Sequence, residues 1–319
     1  AVRRWCAPVV GLDPSVSAED YLSRRLESGV EEVNRRFVAA AGIAAFLVDT
    51  GYSPEPICTP SELADMAGGA GHEIVRLEAL GQEMLAQGVG AGDFAEQFVA
   101  ALKSATAVGA KSIAAYRVGL SLPAAKPSDD DLVTALRDVQ PDRDGAYRIA
   151  HPVLSGWLAW TAIEVGLPLQ FHVGYGDNAV DLLQCDPLRL TAFLRATQAR
   201  DVPVMLLHNY PFHRNAAYLA QVFDHVFMDV GLATHNAGAL SKTVIRESLE
   251  LAPFGKMLFS SDAFGLAELY YLGALLFRRG LSGVLSDLVD AQEMTEGDAE
   301  HAARLICAEN ARRVYRLEA

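Results

Sequence analysis

Three short apolar runs in this sequence each end on a side chain that can bind a metal ion. The runs are residues 169–172, 204–208 and 257–262, and they end on His172, His208 and Asp262. Runs of this kind are typical of strands that are buried on both faces of a parallel sheet. In a parallel α/β barrel the carboxyl ends of all strands converge on one mouth, so residues that are distant in sequence meet there. The sequence therefore predicts a site with two imidazoles and one carboxylate, which are ligand types of divalent transition metals.

The whole sequence alternates between strand-like and helix-like segments. Strands are predicted at 43–49, 74–78, 108–115, 168–173, 202–208, 225–230 and 256–261, and helices at 17–41, 93–105, 129–138, 151–165, 187–199 and 214–223. This alternation is typical of an α/β protein with a parallel sheet. Since no shift in composition marks a second domain, we expect residues 1–319 to form one domain. In it, a helical insertion (1–41) precedes the strands and the C-terminal helices (42–319).

Several motifs, in the same order over nearly the whole chain, resemble the amidohydrolase superfamily and, within it, its FluG-like branch. They are residues 46–52, 75–78, 111–117, 169–174, 207–211, 259–262 and 309–315. The resemblance implies a distorted (β/α)8 TIM barrel with metal ligands at its strand ends. The superfamily pattern is His-x-His on strand 1, Lys or Glu on strand 4, His on strands 5 and 6, and Asp on strand 8. Strands 4, 5, 6 and 8 map to Lys111, His172, His208 and Asp262.

The His-x-His motif of strand 1 does not occur in this sequence. No two of the histidines at positions 72, 151, 172, 208, 213, 225, 235 and 301 are two residues apart. The first strand-like run, residues 43–49, corresponds to the superfamily's second strand, and the sequence begins without Met in what looks like the middle of a helix. Either residues outside the given sequence supply the first strand, or this protein has lost it. We favour the first explanation, because a barrel without one of its strands would leave its core open.

Asp262 and His208 are the predicted catalytic residues, and His172, His208, Asp262 and Lys111 are the predicted metal ligands. In this hypothesis Asp262 accepts a proton from a metal-bound water, whose pKa the metal can lower to about 7. The alternative for Asp262 is the N-cap of a helix. The resemblance implies that Lys111 is carboxylated and bridges two metals; the alternative is an ion pair with Glu78 or with an acidic substrate. Zn²⁺ is the expected metal, as one or two ions, and Fe²⁺ or Mn²⁺ suits the same ligands.

Polar residues that follow the predicted strands are candidates for substrate binding. Arg117 is expected to hold a substrate carboxylate through a bidentate pair, with a structural ion pair as the alternative. Tyr116 follows the same strand. Asp49 and Tyr52 also lie at a strand end. The remaining candidates are Glu78, Asn209, His213 and His235.

The composition excludes several classes of partner. Lys and Arg number 27 against 40 Asp and Glu, which gives a formal net charge of −13 and disfavours nucleic acid and anionic membrane surfaces. The longest apolar run, residues 39–48, is far shorter than the roughly 20 residues that span a bilayer. The cysteines at 6, 58, 185 and 307 lack the spacing of a zinc or disulfide framework. We therefore expect a cytoplasmic enzyme with a small-molecule substrate, and a homo-oligomer stays open.

The predicted function is metal-dependent hydrolysis of a carbon–nitrogen amide bond in a small molecule that carries a carboxylate. The strand-end residues indicate the chemistry, the resemblance implies the bond class, and Arg117 indicates the charge of the substrate. Two alternatives remain. One is a metal-dependent decarboxylase, since related barrels bind a carboxylate at a similar site. The other is a catalytically silent scaffold or binding domain, which would follow from a true loss of the first strand.

Overall fold

The structure, a computed structural model, describes residues 1–52 and 58–318. In this part of the chain, six parallel strands form one sheet in sequence order. The sheet curls into a half-barrel, consistent with a TIM-barrel-like fold. The strands are β1 (Ala45–Asp49), β2 (Ala70–Arg76), β3 (Gly109–Ser112), β4 (Leu169–Val173), β5 (Val204–His208) and β6 (Val226–Met228).

Helices connect the strands and extend the fold at both ends. They are α1 (Val2–Cys6), α2 (Ala18–Ser28), α3 (Val30–Ala41), α4 (Pro60–Ala67), α5 (Leu77–Ala86), α6 (Phe94–Ser104), α7 (Asp129–Arg137), α8 (Pro152–Glu164), α9 (Thr191–Thr197), α10 (His213–Val222), α11 (Gly231–Ala237), α12 (Ser241–Ser248), α13 (Ala267–Asp290), α14 (Glu296–Arg304) and α15 (Asn310–Tyr315). None of the helices described combines the length and the apolar character needed to cross a bilayer.

The central strands are buried because helices cover the outer face of the sheet. Every residue of β3, β4 and β5 is buried. Phe171 of β4 packs edge-on against Phe193 of α9, with ring centroids 5.6 Å apart. The register sets Arg76 beside Lys111, and Val173 beside His208. Parallel pairing therefore brings the carboxyl ends of all these strands to one edge of the sheet.

Two predicted segments differ from the structure in their kind of secondary structure as well as in their bounds. The helix predicted at 17–41 is two helices, α2 and α3, because Gly29 between them has φ 75° and ψ 161°. The strand predicted at 74–78 is β2, which begins at Ala70, and α5 begins at Leu77. Glu78 therefore lies in the first turn of a helix and not at a strand end.

The strand predicted at 256–261 is reduced to one bridge. Met257 bridges Met228 of β6, and the backbone N–H of Leu258 donates to the Met228 carbonyl at 2.8 Å. A 3-10 turn (Phe254–Lys256) precedes this bridge. Within the described residues no strand lies on the other side of the segment, so the ladder does not continue. The closure of the barrel by a further strand stays a prediction.

The N-terminal helices are attached to α13 by a buried carboxylate. Glu268 is 5% exposed, and it accepts hydrogen bonds from Arg25 Nε at 2.6 Å and Tyr21 Oη at 2.9 Å. Burial alone would raise the pKa of Glu268, but the hydrogen bond from Arg25 outweighs it and the pKa lies below its usual range. The carboxylate is therefore ionised at neutral pH, and it links the helical insertion to the rest of the fold.

We predict that Glu268→Ala lowers the free energy of unfolding by about 2–3 kcal/mol, because it leaves Arg25 half-buried without its acidic partner. Since the folded-state pKa is lowered, this stabilisation is present above the unfolded pKa and is lost as the pH falls through the folded pKa. Urea unfolding at neutral and acidic pH measures both effects. The control is Glu27→Ala, whose exposed pair with Arg24 contributes less than about 1 kcal/mol. Equal losses in the two variants would contradict this assignment.

Candidate active site

A large cavity opens at the carboxyl ends of the strands. Its volume is about 1400 Å³, and it extends along the length of β1. Polar and charged side chains from every strand end line it, and they include Asp49, Arg76, Lys111, Tyr116, Arg117, Arg148, His172, Tyr175, His208, Asp229, His235 and Asp262. The cavity therefore combines the chemically active residues of six strands and the following loops.

His172, His208 and Asp262 lie together at this cavity. The ring centroids of His172 and His208 are 4.8 Å apart, and His208 Nε2 is 3.6 Å from Asp262 Oδ1. The N-cap residue of α13 is Leu266, so Asp262 does not cap that helix. Both imidazoles are buried, whereas the Asp262 side chain is 32% exposed because it faces the open cavity. The sequence argument that placed these residues at one mouth agrees with this arrangement.

The protonation states suit a metal ligand and a base. Burial, together with the nearby His208 and Lys111, lowers the pKa of His172 well below its usual range, so the ring is neutral. Burial would raise the pKa of Asp262, but His208 and Lys111 outweigh it and hold this pKa below its usual range. At neutral pH the site thus holds a neutral imidazole beside a carboxylate that is able to accept a proton.

The histidines fit a metal ion as two of its ligands. His172 Nε2 and both ring nitrogens of His208 are buried and have no hydrogen-bond partner in the described part of the chain. Buried polar atoms are normally paired, so such atoms call for an explanation, of which an ion is one. No three His, Cys, Asp or Glu side chains among residues 1–52 and 58–318 are arranged to hold an ion by themselves. Asp262 therefore does not complete a preformed three-ligand set with the two histidines.

Lys111 is paired with a carboxylate that the sequence argument did not assign to it. Its Nζ lies 3.1 Å from Asp49 Oδ2, and the guanidinium of Arg76 donates to both oxygens of the same carboxylate. Burial would raise the pKa of Asp49, but Lys111 and Arg76 hold it below its usual range. The alternative that was expected for Lys111, an ion pair with Glu78, is not observed in the described residues. The Glu78 carboxylate instead accepts hydrogen bonds from Ser112 Oγ and the Ile113 backbone N–H.

A second wall of the cavity carries an unpaired arginine. Arg117 lines the cavity, and its Nε is buried without a hydrogen-bond partner among the described residues. No acidic side chain of that part of the chain forms an ion pair with it, so the structural ion pair that was its alternative role is not observed. Tyr116 packs against His172, with ring centroids 4.5 Å apart. This part of the cavity lining therefore holds the cationic Arg117 next in sequence to the tyrosine that packs against His172.

Three of the predicted substrate-binding residues do not line the cavity. Glu78 and Asn209 are fully buried, and Asn209 Nδ2 donates to the carbonyls of Leu206 and Asp229. His213 lies in the first turn of α10, and its Nε2 is 2.7 Å from Glu247 Oε2. A polar residue after a strand can face either the cavity or the packed interior, and these three side chains face the interior. His235 does line the cavity.

The polar residues of the cavity that the sequence argument missed include Arg76, Arg148 and Asp229. Arg76 ends β2, and the strand was predicted to continue past it. Asp229 directly follows the apolar strand β6, so the signal that identified Asp262 was also present here. Arg148 lies in the long connection between α7 and α8, where no pattern in the sequence marks it.

Comparisons with known proteins agree with the fold and with the family resemblance. The pattern of the family described as Amidohydrolase matches residues 69–317. Protein fluG of Emericella nidulans is 31% identical over 284 residues, which cover 76% of this chain but only 32% of that protein. A candidate metal-dependent hydrolase from Lactobacillus casei has a crystal structure with a TM-score of 0.81 and 29% identity, covering 94% of this chain and 80% of that one. The uronate isomerase of Bacillus halodurans, at 15% identity and a TM-score of 0.63 over 98% of this chain and 75% of that one, shares the fold.

We predict that His172→Ala combined with His208→Ala removes most of the bound metal, since the variant loses both imidazoles whose buried nitrogens lack a partner among the described residues. Metal analysis of the purified protein measures the metal-to-protein ratio. The matched control is His225→Ala: this buried histidine lies beside Thr197, has its pKa lowered to about 4 and is not part of the cavity lining. Equal metal content in the double variant and the wild type would refute the site.

Proposed function

This chain belongs to the amidohydrolase family, and we propose that it is a metal-dependent hydrolase that cleaves the carbon–nitrogen amide bond of a small carboxylate-bearing molecule. The observation that carries the proposal is the pair of buried imidazoles next to the ionised Asp262, with nitrogens that have no hydrogen-bond partner in residues 1–52 and 58–318. The chain spans about a third of the length of the fluG protein. The activity is therefore proposed for these residues and their cavity alone.

His172 and His208 would hold the metal, with Zn²⁺ as the expected ion and Fe²⁺ or Mn²⁺ as alternatives. A divalent metal at such a site activates water and polarises a carbonyl. In a lysine carbamate, Lys111 would carry a negative charge next to the carboxylate of Asp49, 3.1 Å from the present Nζ. The pairing with Asp49 thus favours an ammonium over a carboxylated bridge, and we propose a single metal ion.

Asp262 acts as the general base in this proposal. Its carboxylate is ionised and partly exposed to the cavity, so it takes the proton from the attacking water and returns it to the leaving nitrogen. His208 lies next to Asp262, with its Nε2 3.6 Å from Asp262 Oδ1.

The substrate carboxylate is proposed to bind Arg117. A buried guanidinium nitrogen without a partner is costly unless a ligand supplies the acceptor, and a carboxylate fits the fork of an arginine in a bidentate pair. Arg148 lines the same cavity and adds positive charge on its exposed side. Because Arg76 and Lys111 are already paired with Asp49, Arg117 is the better candidate for this role.

A decarboxylase remains the second candidate, because the same metal and the same arginine would suit the release of CO₂ from a bound carboxylate. Product analysis separates the two reactions. The hydrolase proposal expects an amine and a new carboxylate in equal amounts, with one water consumed. Release of CO₂ without consumption of water would identify the lyase.

We predict that Asp262→Asn lowers kcat by about 10²- to 10⁴-fold while substrate binding and most of the metal remain. The amide keeps the shape of the carboxylate but cannot accept the proton. Steady-state kinetics together with metal analysis measures both quantities. Near-native kcat in this variant would show that the carboxylate has no part in the chemistry.

For Arg117→Met we predict the opposite effect on the kinetic constants: KM should rise by more than kcat falls. The reason is that the guanidinium holds the substrate carboxylate in the ground state and the transition state alike. The control is Arg195→Met, at an exposed position of α9 outside the cavity. An unchanged KM in Arg117→Met would contradict the assignment of the carboxylate site.

A further inference from the structure

The backbone of His208 has a conformation that a strand-end residue rarely adopts. His208 has φ 71° and the next residue, Asn209, has φ 63°. Both values lie in the left-handed region, which side chains other than glycine populate sparsely. Two such residues in succession need specific contacts to stay in place, and such backbone conformations concentrate at functional sites.

The contacts come from a buried carboxylate on the neighbouring strand. Asp229, at 2% exposure, accepts a hydrogen bond from the His208 backbone N–H at 2.8 Å through its Oδ1. The same oxygen accepts from the Gly231 backbone N–H at 2.9 Å. One carboxylate thus joins the end of β5 to the segment that follows β6.

Asn209 holds the same turn from the other side. Its Nδ2 donates to the carbonyl of Leu206 at 2.5 Å and to the carbonyl of Asp229 at 2.9 Å. Its backbone N–H donates to the carbonyls of Leu207 at 2.8 Å and Val173 at 3.2 Å. Because Asn209 has no exposed surface, these contacts are structural and do not reach the substrate.

The ring of His208 has no such support of its own. Both ring nitrogens of His208 are buried, and neither has a hydrogen-bond partner in the described residues. In metal sites the second ring nitrogen is normally fixed by a carboxylate or carbonyl. The direction of the His208 imidazole is therefore set through its backbone.

We infer that Asp229 is the positioning residue of the site and that Asp229 and Asn209 together form a backbone clamp that aims the His208 imidazole at His172 and Asp262. The inference rests on the proposed function for the identity of the site as a metal centre. Asp229 acts through the acceptor oxygen that it offers to two backbone N–H groups, and its negative charge is not required for this role. The clamp explains why Asp229 is buried at the cavity wall although none of the ion pairs among the described residues includes it.

We predict that Asp229→Ala weakens Zn²⁺ binding about 10- to 100-fold, the usual effect of losing a partner that orients a metal ligand. Asp229→Asn retains an acceptor oxygen for both N–H groups, and it should keep the affinity within about threefold of the wild type. Competition of the full-length protein with a chromophoric chelator for Zn²⁺ measures both. An equal loss in the two variants would overturn the positioning role in favour of a requirement for the charge.

A matched asparagine separates orientation from stability. Asn310 is fully buried and, like Asn209, donates from Nδ2 to two backbone carbonyls, those of Phe254 and Met257. Asn209→Ala and Asn310→Ala should lower the midpoint of urea unfolding by similar amounts, and only Asn209→Ala should weaken Zn²⁺ binding. Equal losses of affinity would show that the effect of Asn209 is one of stability.

A measurement on the metal-free protein tests the clamp independently of the proposed function. The ring ¹H–¹³C signal of His208 reports its position relative to the His172 ring, which lies 4.8 Å away. This signal should move in Asp229→Ala and stay in Asp229→Asn. An unmoved signal in Asp229→Ala would overturn the clamp. If the wild-type protein bound none of Zn²⁺, Fe²⁺ and Mn²⁺ while the His208 signal moved in Asp229→Ala, the metal-dependent function would be overturned and the clamp would stand.

Discussion

Parallel pairing of neighbouring strands is the constraint on which the rest of this structure depends. Because each strand runs in the same direction as the one before it, the residues that end the strands are all delivered to one edge of the sheet. Asp49 and Arg76 end β1 and β2, Lys111 is the last but one residue of β3, and their side chains meet in one ion-pair cluster. His172 and His208 belong to the next two strands, and their rings meet in the same way. The site is a direct consequence of the register.

The charges of the cavity are divided between two tasks. Asp49 forms ion pairs with Arg76 and Lys111, whereas the buried Nε of Arg117 has no acceptor among the residues that the structure describes. Asp262 remains ionised because His208 and Lys111 offset the cost of its burial. A base and an arginine that line the same cavity suit a substrate that is anionic at one end and cleaved at the other. The net charge of the chain, −13, gives no hint of this local balance.

How far the sequence predicts this structure depends on where the stabilising contacts come from. β4 and β5 were predicted to within two residues, because wholly buried strands are apolar throughout. β2 begins earlier than predicted, since its first residues, such as His72 and Glu73, are polar and are ordered by pairing with β1. His172, His208 and Asp262 were predicted from strand ends, whereas Asn209 was misplaced because its direction follows from a left-handed backbone. Asp49 as the partner of Lys111 required three-dimensional register. No local pattern encodes these last two features.

The most direct test of the account is the fate of solvent oxygen during turnover. The metal-loaded protein is incubated with small carboxylate-bearing amides in isotopically labelled water, and the products are analysed by mass spectrometry. The account predicts that one labelled oxygen enters the newly formed carboxylate for each amide bond cleaved, and that removal of the metal by a chelator stops the reaction. Turnover with release of CO₂ and no label in the product would contradict it.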